Sequence, residues 1–225
     1  MKPSEWLTEA GSKLLRDENP PKTNPKITKL LISINIMIGT IIGYAEGQGI
    51  SKATEEVIKF LGLISHPCLL LYEPWRWLTH MFIHINWQHL LGNMLFLMVF
   101  GDNVEDYYGH RKYFILYLLW GFGAALGQTT AYLLTNTIVA MVGASGAISG
   151  ILGAYLVLYP DAKITGKMVA DKKVPAKVFL GLWFVGQFTS AIMGNAGMVA
   201  VIAHICGFVL GYITASYYKV EKNAE

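Results

Sequence analysis

The sequence predicts an all-α membrane protein, a six-transmembrane-helix bundle with a partly embedded first outer loop. Of its 225 residues, 53% are hydrophobic and only 15% charged, where a soluble domain carries about a quarter charged residues. The apolar excess falls into six separate runs, and the basic residues gather on one side of them. Glycine, at 23 residues, suits close helix packing in lipid, and the mean hydropathy is +0.41.

Residues 1–26 are polar and form an N-terminal segment. Trp6, Leu7, Ala10 and Leu14 fall at helical spacing, which predicts a short amphipathic helix on the membrane surface. Asp17 to Pro25 reads as a turn-rich linker. The late first apolar run is unlike a signal peptide, and Glu5, Glu9, Asp17 and Glu18 are unlike a transit peptide. The apolar runs cover residues 27–45, 87–101, 113–134, 143–159, 174–193 and 198–217. A span needs about 20 residues, so the short second run is expected to begin inside the preceding loop. The membrane domain is thus 27–218, with a tail at 219–225.

Six spans put both termini on one side, and charge identifies that side as cytoplasmic. Fifteen of the 18 basic residues lie at the start of the first span, between spans two and three, between four and five, or after the last. Only Lys52, Lys59 and Arg76 fall on the other face, all in the long first loop. That loop mixes Trp75, Arg76, Trp77, His80, Phe82 and His84 with apolar residues, a composition suited to the headgroup level. Because the basic residues flank spans instead of forming one patch, no nucleic-acid partner is expected. Cys206 sits within an apolar run, which argues against a bridge to Cys68, and no metal-type cysteine spacing occurs.

Polar residues inside spans carry the functional signal. His204, in the upper part of span six, reads either as a packing histidine or as a base kept neutral by burial. Ser145, within Gly143–Gly150, opens span four, where first-turn N–H groups can stabilise developing negative charge. A serine needs a base beside it to act as a nucleophile. Gly146, Gly150 and Ala154 on span four, and Ala203, Gly207 and Gly211 on span six, recur every four residues. Two such faces let backbones approach, which would bring His204 within hydrogen-bond reach of Ser145. His89 and Asn93 share one face of span two and can both donate to an oxyanion; the plainer reading is an interhelical polar contact. His80, His84 and His89 could in principle bind a metal, but no Glu stands between His80 and His84 as zinc-protease chemistry requires. No metal and no cofactor are expected. Asp102 and Asp106 lie at the cytoplasmic end of span two without a second intramembrane aspartate to pair with.

These residues together resemble the rhomboid intramembrane serine proteases across essentially all six spans. The resemblance rests on Trp75-Arg76, His84-x4-His89-x3-Asn93, the segment from Gly101 to Asp106, Gly143-Ala144-Ser145-Gly146, and Ala203-His204-x2-Gly207-x3-Gly211. It implies that Ser145 is the nucleophile and His204 the general base and acid, with no triad carboxylate. His89, Asn93 and the Ser145 N–H would form the oxyanion hole. Trp75 and Arg76 would brace the first loop, and His80 and His84 would steady that loop and span two. The implied substrates are single-span membrane proteins, cut near the outer membrane boundary after entering between spans two and five. Trp183, Phe184 and Phe188 are the candidate gate residues. The compact six-span form looks like that of bacterial or archaeal plasma-membrane members. One departure stands out: many members carry an aromatic four positions after the nucleophile to stack on the histidine, and here that position is Ser149. Another group must hold the imidazole. The rival reading is a non-catalytic relative that binds membrane clients; a small transporter would show internal repeats, and none is evident. Oligomeric state is not legible.

Overall fold

A computed structural model of the chain describes residues 11–48, 52–192 and 200–224. The long helices are α1 (Lys26–Gly47), α5 (Trp87–Tyr108), α6 (His110–Leu134), α7 (Ser145–Leu158), α8 (Ala176–Ile192) and α9 (Val201–Ala224). Three stretches, α1, α6 and Val201–Glu221 of α9, are long and apolar enough to cross a membrane unaided, and α7 is a shorter apolar helix.

Between α1 and α5 the chain forms α2 (Ala53–Leu61), strand β2 (Leu63–Ile64), α3 (Pro67–Tyr72), α4 (Arg76–Thr79) and a 3-10 turn at His80–Phe82. Arg76 is buried, forms an ion pair with Glu73 and donates to the Gly62 carbonyl at 2.7 Å. Trp75 Nε1 donates to the Phe60 carbonyl at 3.3 Å. Strand β2 pairs antiparallel with β3 (Ala140–Met141), so the first loop is tied to the segment that leads into α7.

Both ends of α5 differ from the sequence reading. Helix α5 does not begin inside the loop. Asn86 caps it by accepting from His89 N at 2.8 Å, and the helix runs on past the apolar stretch to Tyr108. Apolarity ended early because Asp102, Glu105 and Asp106 occupy its last turns, and these side chains have partners there. Glu105, fully buried, accepts from the backbone N–H groups of Ile27 and Thr28, both at 2.8 Å, and from His110 Nδ1 at 2.5 Å. The carboxylate of one helix therefore caps another, satisfying first-turn donors that have no intrahelical acceptor. Glu105→Ala is expected to lower stability by about 2–4 kcal/mol by stranding those donors, measured as thermal unfolding in detergent; an unchanged midpoint would remove that role.

The stretch read as a turn-rich linker contains structure as well. Strand β1 (Arg16–Asp17) pairs with β4 (Lys163–Thr165), which pairs with β5 (Val174–Pro175) in a three-stranded antiparallel sheet. Asp17 accepts from the Tyr155 hydroxyl and from Asn103 Nδ2, while Thr23 and Lys22 N–H reach Asp106. Burial pushes the Asp17 carboxyl above its usual range, opposed by the Tyr155 hydroxyl. Trp6, Leu7 and Ala10 of the expected amphipathic helix lie outside the described residues. Residues 11–14 are helical, but it is Leu15 that is buried, and Leu14 is exposed.

The core is centred on the contact of α7 with α9. A β-carbon on Gly207 would run into the Gly146 carbonyl, one on Gly211 into the Gly150 carbonyl, and one on Gly153 into the Phe208 carbonyl. Glycine is required at this approach because any side chain would push the backbones apart.

Candidate active site

Ser145 stands on the first turn of α7. The turn before it is set by Gly143, whose φ of 116° suits glycine and whose N–H donates to the His80 carbonyl at 2.8 Å. A β-carbon at Gly143 would fall 2.7 Å from His89 Cε1, so that imidazole lies over the turn. His80, in turn, donates its Nδ1–H to the Arg76 carbonyl at 2.9 Å. The braced first loop thus holds the approach to Ser145 through a short chain of backbone and imidazole contacts.

His204 projects from the first turns of α9, where the side-chain oxygen of Gln128 accepts from Ala203 N at 3.0 Å. The close α7–α9 packing puts His204 Nε2 2.7 Å from Ser145 Oγ. The other ring nitrogen, Nδ1, is 2.7 Å from Gln187 Oε1 of α8. With the amide oxygen turned to the ring and able only to accept, Nδ1 would carry the proton and Nε2 would present its lone pair to the serine hydroxyl. Trp183, one turn before Gln187, lies with its ring 6.0 Å from that of His204 and tilted 39°. The group left unnamed by Ser149 is therefore a pair from α8. Ser149 itself is buried and donates to the Ser145 carbonyl at 2.7 Å.

A cavity of about 580 Å³ opens beside the pair, bounded by Gly92, Asn93 and Phe96 of α5, Ser145 of α7, and Trp183 and Gln187 of α8. Asn93 Nδ2 donates one hydrogen to the His89 carbonyl at 3.0 Å, which leaves its second amide hydrogen for another acceptor. His84 and His89 meet edge to face at 5.0 Å, and His84 Nε2 and His89 Nδ1 are buried with no hydrogen-bond partner among the described residues. Among the described residues, no group of three or more potential metal ligands forms. Of the gate candidates, Trp183 is in the cavity wall, Phe184 stacks on Phe208 at 4.6 Å, and the Phe188 side chain lies outside the described residues.

Gln187 and Gln128 were not singled out in the sequence. The signal was present, since each is an uncharged polar residue within an apolar run, the same anomaly that marks His204.

The fold and site define a class: a helical membrane protein with a serine and a histidine hydrogen-bonded beside an open cavity. A family model of the Rhomboid domain matches residues 72–220, and the chain belongs to the rhomboid family as an integral membrane protein. Among its relatives, RHOMBOID-like protein 1 of Arabidopsis thaliana is 33% identical over 149 residues, 66% of this chain and 36% of the relative. Rhomboid protease GluP of Bacillus subtilis (strain 168) is 28% identical over 219 residues, 94% of this chain and 40% of the relative. Rhomboid protease GlpG of Serratia proteamaculans (strain 568) is 28% identical over 143 residues, 64% of this chain and 48% of the relative. The chain spans less than half the length of each of these three.

Proposed function

We propose that the chain is an intramembrane serine endopeptidase that cuts transmembrane segments of single-span membrane proteins. One observation carries the reading: the 2.7 Å contact of Ser145 Oγ with His204 Nε2 at the wall of a cavity large enough for a peptide segment. In this reading His204 takes the hydroxyl proton as Ser145 attacks the scissile carbonyl, then returns it to the leaving amine. Water afterwards hydrolyses the acyl-serine with the same base. The oxyanion would accept from the Ser145 N–H, His89 and the spare Asn93 hydrogen.

We further read α1 and α5–α9 as six spans of one domain at 27–218, between cytoplasmic segments 1–26 and 219–225, in a plasma membrane of bacterial or archaeal type. The positive-inside asymmetry supports this orientation. At 14 residues, α7 is only about 21 Å long, against about 30 Å of hydrocarbon. With its C-terminal end at the cytoplasmic boundary, Ser145 sits below the outer surface, and the cut falls near the outer boundary. The first loop, with Leu71, Tyr72, Trp75 and Leu78 exposed, rests partly in the outer leaflet. Substrate enters between α5 and α8, past Trp183, Phe184 and Phe188. Unchanged turnover after replacing all three would remove that route.

The direct test is a fluorophosphonate probe on protein purified in mild detergent, followed by intact mass and peptide mapping. A single adduct on Ser145, absent from Ser145→Ala and His204→Ala, is the expected result. No adduct on folded parent would favour the client-binding reading instead. Asn93→Ala is expected to slow cleavage of a transmembrane reporter about a hundredfold or more, with KM little changed; an equal change in KM would assign Asn93 to substrate binding.

A further inference from the structure

Among the described residues, Gln187 is the polar side chain that α8 brings to the serine–histidine pair, and it comes from a helix other than those that carry Ser145 and His204. Its Oε1 lies 2.7 Å from His204 Nδ1, on the side of the ring opposite Ser145 Oγ. Three groups thus stand in line: hydroxyl, imidazole and amide oxygen. The amide is held in place by its helix. Phe184 of α8 stacks on Phe208 at 4.6 Å, Trp183 packs on the same ring at 6.0 Å, and Phe179 meets Phe100 at 6.1 Å. Beside the ring stands Trp183, 6.0 Å away and tilted 39°, which offers it no hydrogen-bond acceptor in the ring plane, and the Ser149 hydroxyl is bonded to the Ser145 carbonyl.

We propose that Gln187 is the positioning residue of the base, fixing the imidazole tautomer and plane so that Nε2 faces Ser145. This rests on the reading of Ser145 and His204 as nucleophile and base. A neutral histidine has two tautomers, and only the one protonated at Nδ1 can receive the serine proton at Nε2. The Gln187 oxygen selects that tautomer without carrying charge. It supplies the orienting function of a triad carboxylate while leaving no ion to be desolvated in the membrane. Because α8 also bounds the cavity, the base is oriented only while that helix is seated on α9.

The test uses the full chain, a fluorophosphonate probe and two variants, with labelling of Ser145 followed against pH. In the labelling step the Oγ–P bond forms, fluoride leaves with the bonding pair, and the hydroxyl proton passes to His204 Nε2. Gln187→Leu keeps the bulk and removes the acceptor. It is expected to label about tenfold more slowly or worse, with the thermal midpoint of the parent. Gln187→Glu restores an acceptor but adds charge. An ionised carboxylate beside Nδ1 favours the imidazolium, so the base stays protonated to higher pH. The acidic limb of the rate profile should therefore move up by about one pH unit or more, with labelling restored above it. Among the described residues, the titratable side chain acting on His204 is His89 from α5, and the hydroxyl bonded to it is that of Ser145 from α7; both are unchanged in these variants. A residue 187 turned away from the ring would not shift the limb, and a glutamine that only packs would leave the labelling rate of Gln187→Leu at that of the parent. Parent-like labelling by Gln187→Leu, or a Gln187→Glu limb that coincides with that of the parent, overturns the proposal. Should Gln187→Leu fail to fold, the Gln187→Glu limb decides alone. A folded parent that does not label overturns the reading of Ser145 and His204, and this inference with it.

Discussion

Cleavage by a chain carrying both Ser145→Ala and His204→Ala is expected to be no slower than cleavage by either single variant. The two side chains share one hydrogen bond of 2.7 Å, and in the proposed mechanism neither has a task without the other. A serine hydroxyl without a base is a poor nucleophile, and a base without the hydroxyl has no proton to take. Losses in such units do not add. Each single substitution should lower kcat by about 10⁴-fold or more, and the residual rate should come from the groups around the oxyanion. The measurement is release of a fluorescent product from a single-span reporter reconstituted in vesicles with each of the three variants. Losses that multiply in the double variant would mean that the two residues act in separate steps, and the shared proton transfer would have to be abandoned.

What could be read ahead of the structure depended on whether a residue's partners lie nearby in the chain. The small residues of α7 and α9 recur at helical spacing, so their close approach could be read from periodicity, and with it the meeting of Ser145 and His204. The membrane class was legible for the same reason, from runs of apolar residues. The far end of α5 was not, because hydropathy registers Asp102, Glu105 and Asp106 only as charge. Their partners, Ile27, Thr28, Lys22 and Thr23, are far away in sequence. Strand β1 was missed on similar grounds. Two residues carry no alternation to detect, and the strand exists through its register with Lys163–Thr165. Gln187 illustrates a different failure. Its polarity inside an apolar run was visible, but its role depends on the rotation of α8 relative to α9, which spacing within one helix does not determine. Glu73 is similar: the bracing role expected of Arg76 came from a family resemblance, whereas the side chain that pairs with it and the Gly62 carbonyl that accepts from it emerged only from the folded loop.

Gly211→Val is expected to separate α7 from α9 and abolish labelling of Ser145 although it alters no polar group of the site. A β-carbon at Gly211 cannot coexist with the Gly150 carbonyl, nor one at Gly207 with the Gly146 carbonyl. The obstacle is backbone, so no rotamer change relieves it. Overpacking a tight contact costs about 1–3 kcal/mol even where side chains can move, and here the helices themselves must shift. Lipid adds to the effect, since apolar helices gain no hydrophobic drive to stay together and are held by close packing. A displacement of about 1 Å would stretch the 2.7 Å contact between His204 and Ser145 beyond useful hydrogen-bond length. The loss is therefore expected in two measurements at once, a lower thermal midpoint and absent fluorophosphonate labelling, with Gly211→Ala intermediate. Gly181→Ala is the matched control, because a β-carbon there meets nothing within 4 Å, and it should change neither. Parent-like labelling by Gly211→Val would show that the serine–histidine contact does not depend on the glycine crossing. The geometry of the pair would then have to be held by α8, through Gln187 and Trp183.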